Sequence, residues 1–337
     1  MRKWLKRLGI GLGVLIVLLV GIGAWLWTAK PWIPAIELAA PGPGGTRVNA
    51  PGLIGNFYPS RGDGKGTGAR PAILLLGGSE GGLGSATNGE AQLLAKQGFA
   101  VLALAYYRLP GQPEKLELVP IESFTRALDW LKTQPGVDPA RLAMMGTSKG
   151  AEAALLVASR RPDVRAVVAA VPSHMVWQGF DWSFAPVNTS SWSTGGKPVP
   201  FLPIITVGWS GDVYGPALKT AGQHPDAAIP VERINGPVLL LCGEEDSLWP
   251  SCPMARAAKA RRDQAGSGAE TVLLAYRDAG HFGVGPPLAK GKDVPWMITL
   301  FGGSKDGNVA ARADGWPRTL AFLQQALAPA DKLETLK

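Results

Sequence analysis

The chain is poor in cysteine and histidine, with two cysteines and three histidines among 337 residues. Two cysteines allow at most one disulfide, which would join Cys242 and Cys252 across a short loop in an oxidising compartment. The alternative is a small buried thiol at Cys242 and an unrelated Cys252, because the spacing does not set the distance between their Cα atoms. Three histidines limit the choice of a catalytic base to three positions. We expect neither a metal site nor a cofactor.

The sequence also lacks a basic stripe with interleaved aromatic residues, so it offers little for nucleic acid to bind. The net charge of +8 is concentrated at the N-terminus, where no acidic residue accompanies the first four basic ones: Arg2, Lys3, Lys6 and Arg7. Removing these four from 34 basic residues leaves 30 against 26 acidic residues. We interpret the basic end as a topology signal and expect no nucleic-acid partner.

Leu8 to Trp27 form a run of 20 uncharged, mostly apolar residues. At about 1.5 Å per residue, such a helix crosses a hydrocarbon core of about 30 Å. The sequence therefore predicts a cytoplasmic tail over 1–7 and a transmembrane anchor over 8–28, with the body of the protein outside the cytoplasm by the positive-inside rule. A cleaved signal peptide is the alternative, but the run is longer than a usual signal core and no clear A-x-A site follows it.

Residues 29–52 are rich in proline and glycine and are predicted to form a linker. The domain that follows is predicted to span 53–330. From about residue 70, short apolar runs alternate with helical patterns, which is typical of a mostly parallel sheet covered by helices on both faces.

This alternation breaks over about residues 172–235. The segment is long and irregular, and such insertions in a compact domain are usually functional or disordered. Its aromatic residues argue against disorder, so we interpret it as a cap over the carboxyl edge of the sheet. Its tryptophans are Trp177, Trp182, Trp192 and Trp209.

The pattern G-x-S-x-G occurs twice, at residues 77–81 and 146–150. With 44 glycines in the chain, the pattern is informative only in its structural context, which is a strand, a sharp turn and then at once a helix. Only the second match fits, since RLAMM before it is typical of a strand and AEAALLVASRR after it is typical of a helix. This nucleophile elbow predicts Ser148 as the catalytic nucleophile.

The first match follows a strand but runs into further glycines, which start a helix poorly. Such a loop supplies backbone N–H groups to an oxyanion hole, together with the N–H that follows the nucleophile. We therefore predict the N–H groups of Lys149 and Ser79 as donors, with Glu80 as the alternative to Ser79. A plain turn between a strand and a helix is the simpler interpretation of this loop.

A serine nucleophile needs a base, and in this fold the acid and then the histidine follow it along the chain. His281 lies in a tight turn after the last predicted strand and is predicted to be the base. His224 lies in a loop of the insertion. His174 follows a strand and is predicted to line the pocket, although a surface or core histidine is the commoner role for such a residue.

The acid is expected in the loop that follows the strand VLLLC. Asp246 is the predicted acid because a short carboxylate suits the orientation of an imidazole, and Glu245 is the alternative. The predicted substrate-binding residues are Glu80, His174, Trp177 and Trp249.

At these motifs the chain resembles the C-terminal catalytic domain of acyl-CoA thioesterases and bile acid-CoA:amino acid N-acyltransferases. The similarity runs from about residue 70 to the C-terminus, and its most specific parts are LLLGGSEGGL, GFAVLALAYY, MMGTSKGAEAALLVAS and IPVERINGPVLLLCGEEDSLWPS. The resemblance implies an α/β-hydrolase fold and a triad at Ser148, Asp246 and His281. In the acyltransferase branch the nucleophile is cysteine, so Ser148 favours hydrolysis.

Two features depart from the family. Animal members carry an N-terminal β-sandwich domain, where this chain has the apolar run and the linker. Coenzyme A is also a cytoplasmic cofactor, whereas the predicted topology places the catalytic domain outside. The leading hypothesis is a membrane-anchored serine hydrolase that cleaves acyl thioesters, with acyl-CoA among the candidate substrates. The alternatives are a carboxylesterase or dienelactone-hydrolase-like esterase, an amine N-acyltransferase, and a membrane-tethered binding protein without activity.

Overall fold

The computed structural model describes residues 2–60, 68–205, 212–288 and 294–329. Trp209, which the sequence assigns to the cap, lies outside the described residues. The chain divides into two units. The smaller contains Met1–Ala35 with Asp181–Pro186, and the larger contains Ile36–Phe180 with Val187–Lys337.

In the smaller unit, helix α1 (Arg2–Ala29) contains the apolar stretch Arg7–Ala29, with a hydropathy of 2.4. Its 23 residues span about 35 Å, which is long enough to cross a membrane. None of this stretch is buried inside the protein. A signal sequence near the N-terminus also meets this criterion of length and composition, so the transmembrane anchor over 8–28 stays a prediction.

The larger unit is built on parallel strands. In chain order, the strands of the described residues are β1 (Thr46–Ala50), β2 (Leu53–Tyr58), β3 (Arg70–Leu76), β4 (Ala100–Ala105), β5 (Val119–Pro120), β6 (Val137–Thr147), β7 (Val164–Ala170), β8 (Trp192–Thr194), β9 (Lys197–Pro198), β10 (Val238–Gly243) and β11 (Thr271–Tyr276). Eight of them form one sheet in the order β1-β2-β4-β3-β6-β7-β10-β11, and β5, β8 and β9 form a small second sheet.

Within the large sheet, β4, β3, β6, β7, β10 and β11 are parallel, and β2 joins β4 in the antiparallel sense. The central strands are apolar along their whole length because both faces of the sheet are covered. The carboxyl ends of the parallel strands meet at one edge, where ligands bind in open α/β sheets.

Helices cover both faces of this sheet. In chain order they are α2 (Ser85–Lys96), α3 (Ile121–Lys132), α4 (Lys149–Ala158), α5 (Tyr214–Leu218), α6 (Ser251–Gln264) and α7 (Lys305–Ala326). Side chains of α3, α4 and α6 belong to the hydrophobic core on one face, and those of α2 and α7 belong to the core on the other. The predicted mostly parallel sheet with helices on both faces is confirmed.

The N-terminal boundary of the ordered domain differs from the sequence-based prediction. Strand β1 lies inside the segment 29–52 that was predicted to be a linker, and it pairs with β2 in a hairpin. Val48 of this short strand is buried. Gly52 in the turn adopts a φ of +69°, which glycine tolerates. The proline- and glycine-rich segment therefore includes the turn of a hairpin as well as the predicted linker.

The insertion over 172–235 contains β8, β9, α5 and three short 3₁₀ turns among its described residues. Trp177 and Trp192 are fully buried. A third hydrophobic cluster joins the insertion to the chain after β10, and it consists of Met175, Trp177, Leu202, Ala217, Ala227, Trp249 and Met254. In the larger unit, the described part of the insertion therefore packs through its buried aromatic residues.

Candidate active site

Ser148 is the single residue between the end of β6 and the start of α4, and it forms a sharp turn there. Its φ of 56° and ψ of −119° are rare for a residue with a side chain, and its N–H is held by the Ala170 carbonyl at 2.9 Å. A Cβ atom on Gly146 would collide with the Gly150 backbone, and one on Gly150 would collide with the Gly77 carbonyl. The two glycines of G-x-S-x-G are therefore required by close backbone approach, as in a nucleophile elbow.

The structure brings Asp246, and not Glu245, to the imidazole of His281. Asp246 Oδ2 lies 2.9 Å from Nδ1 of His281, and both side chains are almost completely buried. Asp246 Oδ1 accepts hydrogen bonds from the N–H groups of Leu248 at 3.1 Å and Trp249 at 3.3 Å. Glu245 is exposed. The acid is therefore oriented by its own loop, and it can in turn orient the histidine.

Helix α7 holds the loop that carries His281. Asn308 accepts a hydrogen bond from the Gly280 N–H at 2.8 Å. Four residues later, Arg312 donates to three carbonyl groups that follow the histidine, those of Phe282, Val284 and Pro286. The motifs in the sequence did not indicate Asn308 or Arg312. The sequence feature that could have indicated this role is the presence of two polar residues, at 308 and 312, on the inner side of a packed helix.

Cys242 and Cys252 form a disulfide, with an S–S distance of 2.05 Å. The sequence left open a disulfide or two separate thiols, and the structure has the disulfide. Cys242 belongs to β10 and Cys252 to the first turn of α6, so the disulfide closes the loop that contains Asp246 and Trp249.

The loop over residues 77–84 follows β3 and lies beside the nucleophile. The Tyr106 hydroxyl donates to the carbonyls of Gly77 and Gly78, and the Tyr107 hydroxyl donates to the carbonyl of Ser79. In a trans peptide the N–H points away from the preceding carbonyl, so these bonds turn the N–H groups of residues 79 and 80 away from the tyrosines. Of the two predicted donors in this loop, the Glu80 N–H also bonds to the carboxyl group of its own side chain.

Trp177 and Trp249 lie in a row of aromatic rings that ends at His281. The ring of Trp177 lies 5.0 Å from that of Tyr214, Tyr214 lies 5.6 Å from Trp249, and Trp249 lies 6.1 Å from the His281 imidazole. The buried indole N–H of Trp249 has no hydrogen-bond partner among the described residues. An unpaired buried donor beside the predicted base is a suitable contact for a ligand.

His174 is set apart from this row. Burial, with a smaller contribution from the charge of Arg261 on α6, lowers the pKa of His174 to about 4. Its buried Nδ1 atom has no hydrogen-bond partner within the described ranges. Among the contacts of the described residues, none joins His174 to Ser148, Asp246 or His281.

A buried ion pair that the sequence did not indicate lies directly behind the nucleophile. Lys149 Nζ donates to Glu152 at 2.7 Å and to the Ser191 hydroxyl at 2.8 Å. Glu152 also accepts from the Trp192 indole at 2.7 Å and from the Trp177 N–H at 3.0 Å. Burial lowers the pKa of Lys149, and the Glu152 carboxylate opposes this shift. The pair ties the first turn of α4 to the insertion.

The family model named BAAT / Acyl-CoA thioester hydrolase C terminal matches residues 119–329, which include Ser148, Asp246 and His281. The chain belongs to this family. It is 30% identical over 283 residues to acyl-coenzyme A thioesterase 5 of Mus musculus, covering 78% of this chain and 62% of that protein. It is 32% identical over 273 residues to acyl-coenzyme A amino acid N-acyltransferase 1 of the same species, covering 78% and 61%. The chain therefore spans less than two thirds of these relatives.

Solved structures share the fold of this family member. A putative dienelactone hydrolase from Klebsiella pneumoniae has a TM-score of 0.52 at 18% identity, covering 84% of this chain and 98% of that one. The acylaminoacyl peptidase of Pyrococcus horikoshii has a TM-score of 0.55 at 15% identity, covering 89% and 45%. Likeness at such identities shows the fold alone. Family and fold together support an enzyme of the hydrolase type.

Proposed function

We propose that the protein is a serine hydrolase that cleaves acyl thioesters through an acyl-enzyme intermediate. The contact of 2.9 Å between Asp246 and His281, on the sheet edge that also carries the Ser148 elbow, is the observation that carries the proposal. In this mechanism His281 takes the proton of Ser148 Oγ as that atom attacks the substrate carbonyl. Asp246 accepts the Nδ1–H of His281 and so keeps Nε2 available for the nucleophile.

The tetrahedral intermediate then collapses, and His281 delivers the proton to the departing thiolate. Water attacks the acyl-enzyme with His281 again as base, and the free acid leaves. The negative oxygen of each intermediate is held by the Lys149 N–H at the start of α4 and by an N–H of the loop 77–84. The N-terminus of α4 adds the favourable end of its helix dipole.

An acyl thioester is the proposed substrate class because curated relatives are named acyl-coenzyme A thioesterases. The row of Trp177, Tyr214 and Trp249 supplies an apolar wall for an acyl chain, and the unpaired Trp249 indole N–H supplies a polar contact. Ser148 in place of cysteine favours water over an amine as the acceptor.

A carboxylic ester is the second candidate substrate, and the disulfide is the observation that favours it. Disulfides persist in oxidising compartments, which also fits the predicted location of the domain outside the cytoplasm. Acyl-CoA thioesters are cytoplasmic, so an enzyme in such a compartment would act on another ester or thioester.

The deciding experiment measures turnover by the full chain in detergent micelles. Release of coenzyme A from acyl-CoAs of several chain lengths is compared with cleavage of aryl esters, and Ser148→Ala is the control. We expect Ser148→Ala to abolish turnover of every substrate. Serine-dependent release of coenzyme A supports the thioesterase, and serine-dependent ester cleavage alone supports the esterase.

Full activity of Ser148→Ala would refute the proposed nucleophile. A binding protein without activity would show no turnover, and it would leave Ser148 unlabelled by a fluorophosphonate probe. Labelling that requires Ser148 therefore separates an enzyme with an untested substrate from a non-enzymatic scaffold.

A further inference from the structure

The side chain of Glu80 folds back over the two glycines that precede it in the loop 77–84. Its Oε1 accepts a hydrogen bond from the Gly78 N–H at 3.2 Å. A Cβ atom on Gly77 would lie 2.6 Å from Oε1. A Cβ atom on Gly78 would lie 3.0 Å from Oε2 and 3.6 Å from Cβ of Ser148. The carboxyl group and the nucleophile therefore border the same small space, which glycine at 78 leaves open.

No lysine or arginine of the described residues forms an ion pair with the Glu80 carboxyl group. Arg108 donates instead to the backbone carbonyl of Glu80, at 2.6 Å. The other titratable groups that face Glu80 are His281 and Tyr106, and the Tyr106 hydroxyl is committed to the carbonyls of Gly77 and Gly78.

The surroundings of Glu80 shift its pKa toward the neutral form of the carboxyl group. Burial raises the pKa of Glu80 above its usual value. The N–H groups of Gly78 and of Glu80 itself, and the neighbouring His281, oppose this shift but do not reverse it. The Gly78 N–H donates to Oε1, and Oε2 borders the small space that also contains the Cβ of Ser148.

We propose that Glu80 is a further catalytic residue, whose neutral carboxyl group donates a hydrogen bond from Oε2 to the oxygen that becomes negative when Ser148 attacks the substrate. The inference rests on the proposed serine mechanism and adds a side-chain donor to the backbone donors of the oxyanion hole. The proton stays on Glu80 throughout, so the proton of Ser148 still travels only through His281, and no bond of the substrate is changed by Glu80.

A neutral acid suits this position for an electrostatic reason. A hydrogen-bond donor that is already in place when negative charge develops stabilises the transition state without reorganisation. An ionised carboxylate in the same space would instead repel the oxyanion, because two negative charges at short range raise each other's energy. Other enzymes keep a buried carboxylic acid neutral for this purpose.

The test compares Glu80→Gln and Glu80→Ala in the full chain, with a soluble aryl ester as substrate. Glutamine keeps the shape and a neutral donor, so we expect kcat to fall by less than about tenfold, whereas loss of the donor in Glu80→Ala should lower kcat by about 100-fold. KM should change little in either variant, because the oxyanion exists only in the transition state. The exposed Glu114→Gln is the matched control.

The pH profile supplies a readout that a structural role would not move. Because the active form of Glu80 is protonated, activity of the unmodified protein should decline as pH rises through the raised pKa of Glu80. Glutamine does not titrate, so this decline should disappear in Glu80→Gln. The matched control Glu114→Gln should keep the decline of the unmodified protein.

Two outcomes would overturn the proposal. If Glu80→Gln loses as much activity as Glu80→Ala, an ionised carboxylate is what the site needs. If Glu80→Ala keeps full activity, Glu80 takes no part in the reaction. Neither outcome affects the proposed function, which is tested separately by the Ser148→Ala variant, and thermal unfolding of Glu80→Ala checks that the variant is folded.

Discussion

At the scale of single residues, the site depends on a backbone conformation that the sequence pattern encodes. The φ of 56° at Ser148 belongs to a region that costs roughly 1–3 kcal/mol for a residue with a side chain. The turn is kept because β6 and α4 enter it from fixed directions and because Gly146 and Gly150 allow their backbones to approach other strands and turns closely. The hydroxyl is thereby presented at the edge of the sheet.

The role of Asp246 as the acid of the proposed triad can also be tested by substitution. Asp246→Asn keeps the hydrogen bonds to its own loop but favours the wrong imidazole tautomer, so we expect kcat for an aryl ester to fall by about 10³–10⁴-fold. Glu245→Gln is the matched control and should stay within about threefold, because Glu245 is exposed. A reversed pattern, with the larger loss at Glu245, would remove Asp246 from the triad.

At the scale of elements, loops and helices hold the catalytic groups in place. The disulfide between β10 and α6 closes the loop of Asp246. Helix α7 fixes the loop of His281 through Asn308 and Arg312. The side chains of the proposed triad are therefore positioned by covalent and polar contacts from other residues.

The buried pair of Lys149 and Glu152 is the contact between α4 and the insertion that can be removed most cleanly. Lys149→Met leaves the carboxylate of Glu152 buried without its cation, which should lower the free energy of unfolding by about 3–5 kcal/mol. Lys149→Met combined with Glu152→Leu removes both charges and should recover much of that loss. Denaturant unfolding of the full chain in detergent measures both.

If the double variant is no more stable than Lys149→Met, the pair does not act as a coupled unit. The exposed pair of Lys259 and Asp263 is the matched control, because removing one partner of an exposed ion pair should change stability by less than about 1 kcal/mol.

At the scale of the whole molecule, two features bear on the prediction that the domain lies outside the cytoplasm. The apolar stretch of α1 follows a basic N-terminus, and the disulfide requires an oxidising compartment or a protected environment. The enzyme would then act on substrates that reach the outer side of a membrane, which bears directly on the choice between an acyl-CoA and another ester.

This location can be measured on intact cells that express the full chain. We expect a protease added outside to cleave the protein after α1. After denaturation, which exposes the two buried cysteines, we expect a maleimide reagent to label neither until a reductant is added, because both are paired. Protection from protease in intact cells, with cysteines that react without reduction, would place the domain in the cytoplasm. Cells made permeable before treatment provide the control.

Much of the fold and of the catalytic order could be read from the sequence because each signal is local. A strand, a turn with two glycines and a helix specify the elbow at Ser148 within about twenty residues. Chain order then directs attention to the loops that carry Asp246 and His281. The hairpin of β1 was missed because Pro51 and Gly52 are equally typical of linkers and of turns.

What the sequence by itself determined is the class of sheet, the elbow and the order of the candidate triad, because these depend on periodicity and on residues close together along the chain. Only the tertiary structure decided that Cys242 meets Cys252, that Lys149 pairs with Glu152 beneath two tryptophans, and that Arg312 supports the loop of His281. It also placed the Glu80 carboxyl group beside Ser148. These contacts join segments up to tens of residues apart, or depend on where a side chain turns, and the distance between such atoms is set by packing rather than by spacing along the chain.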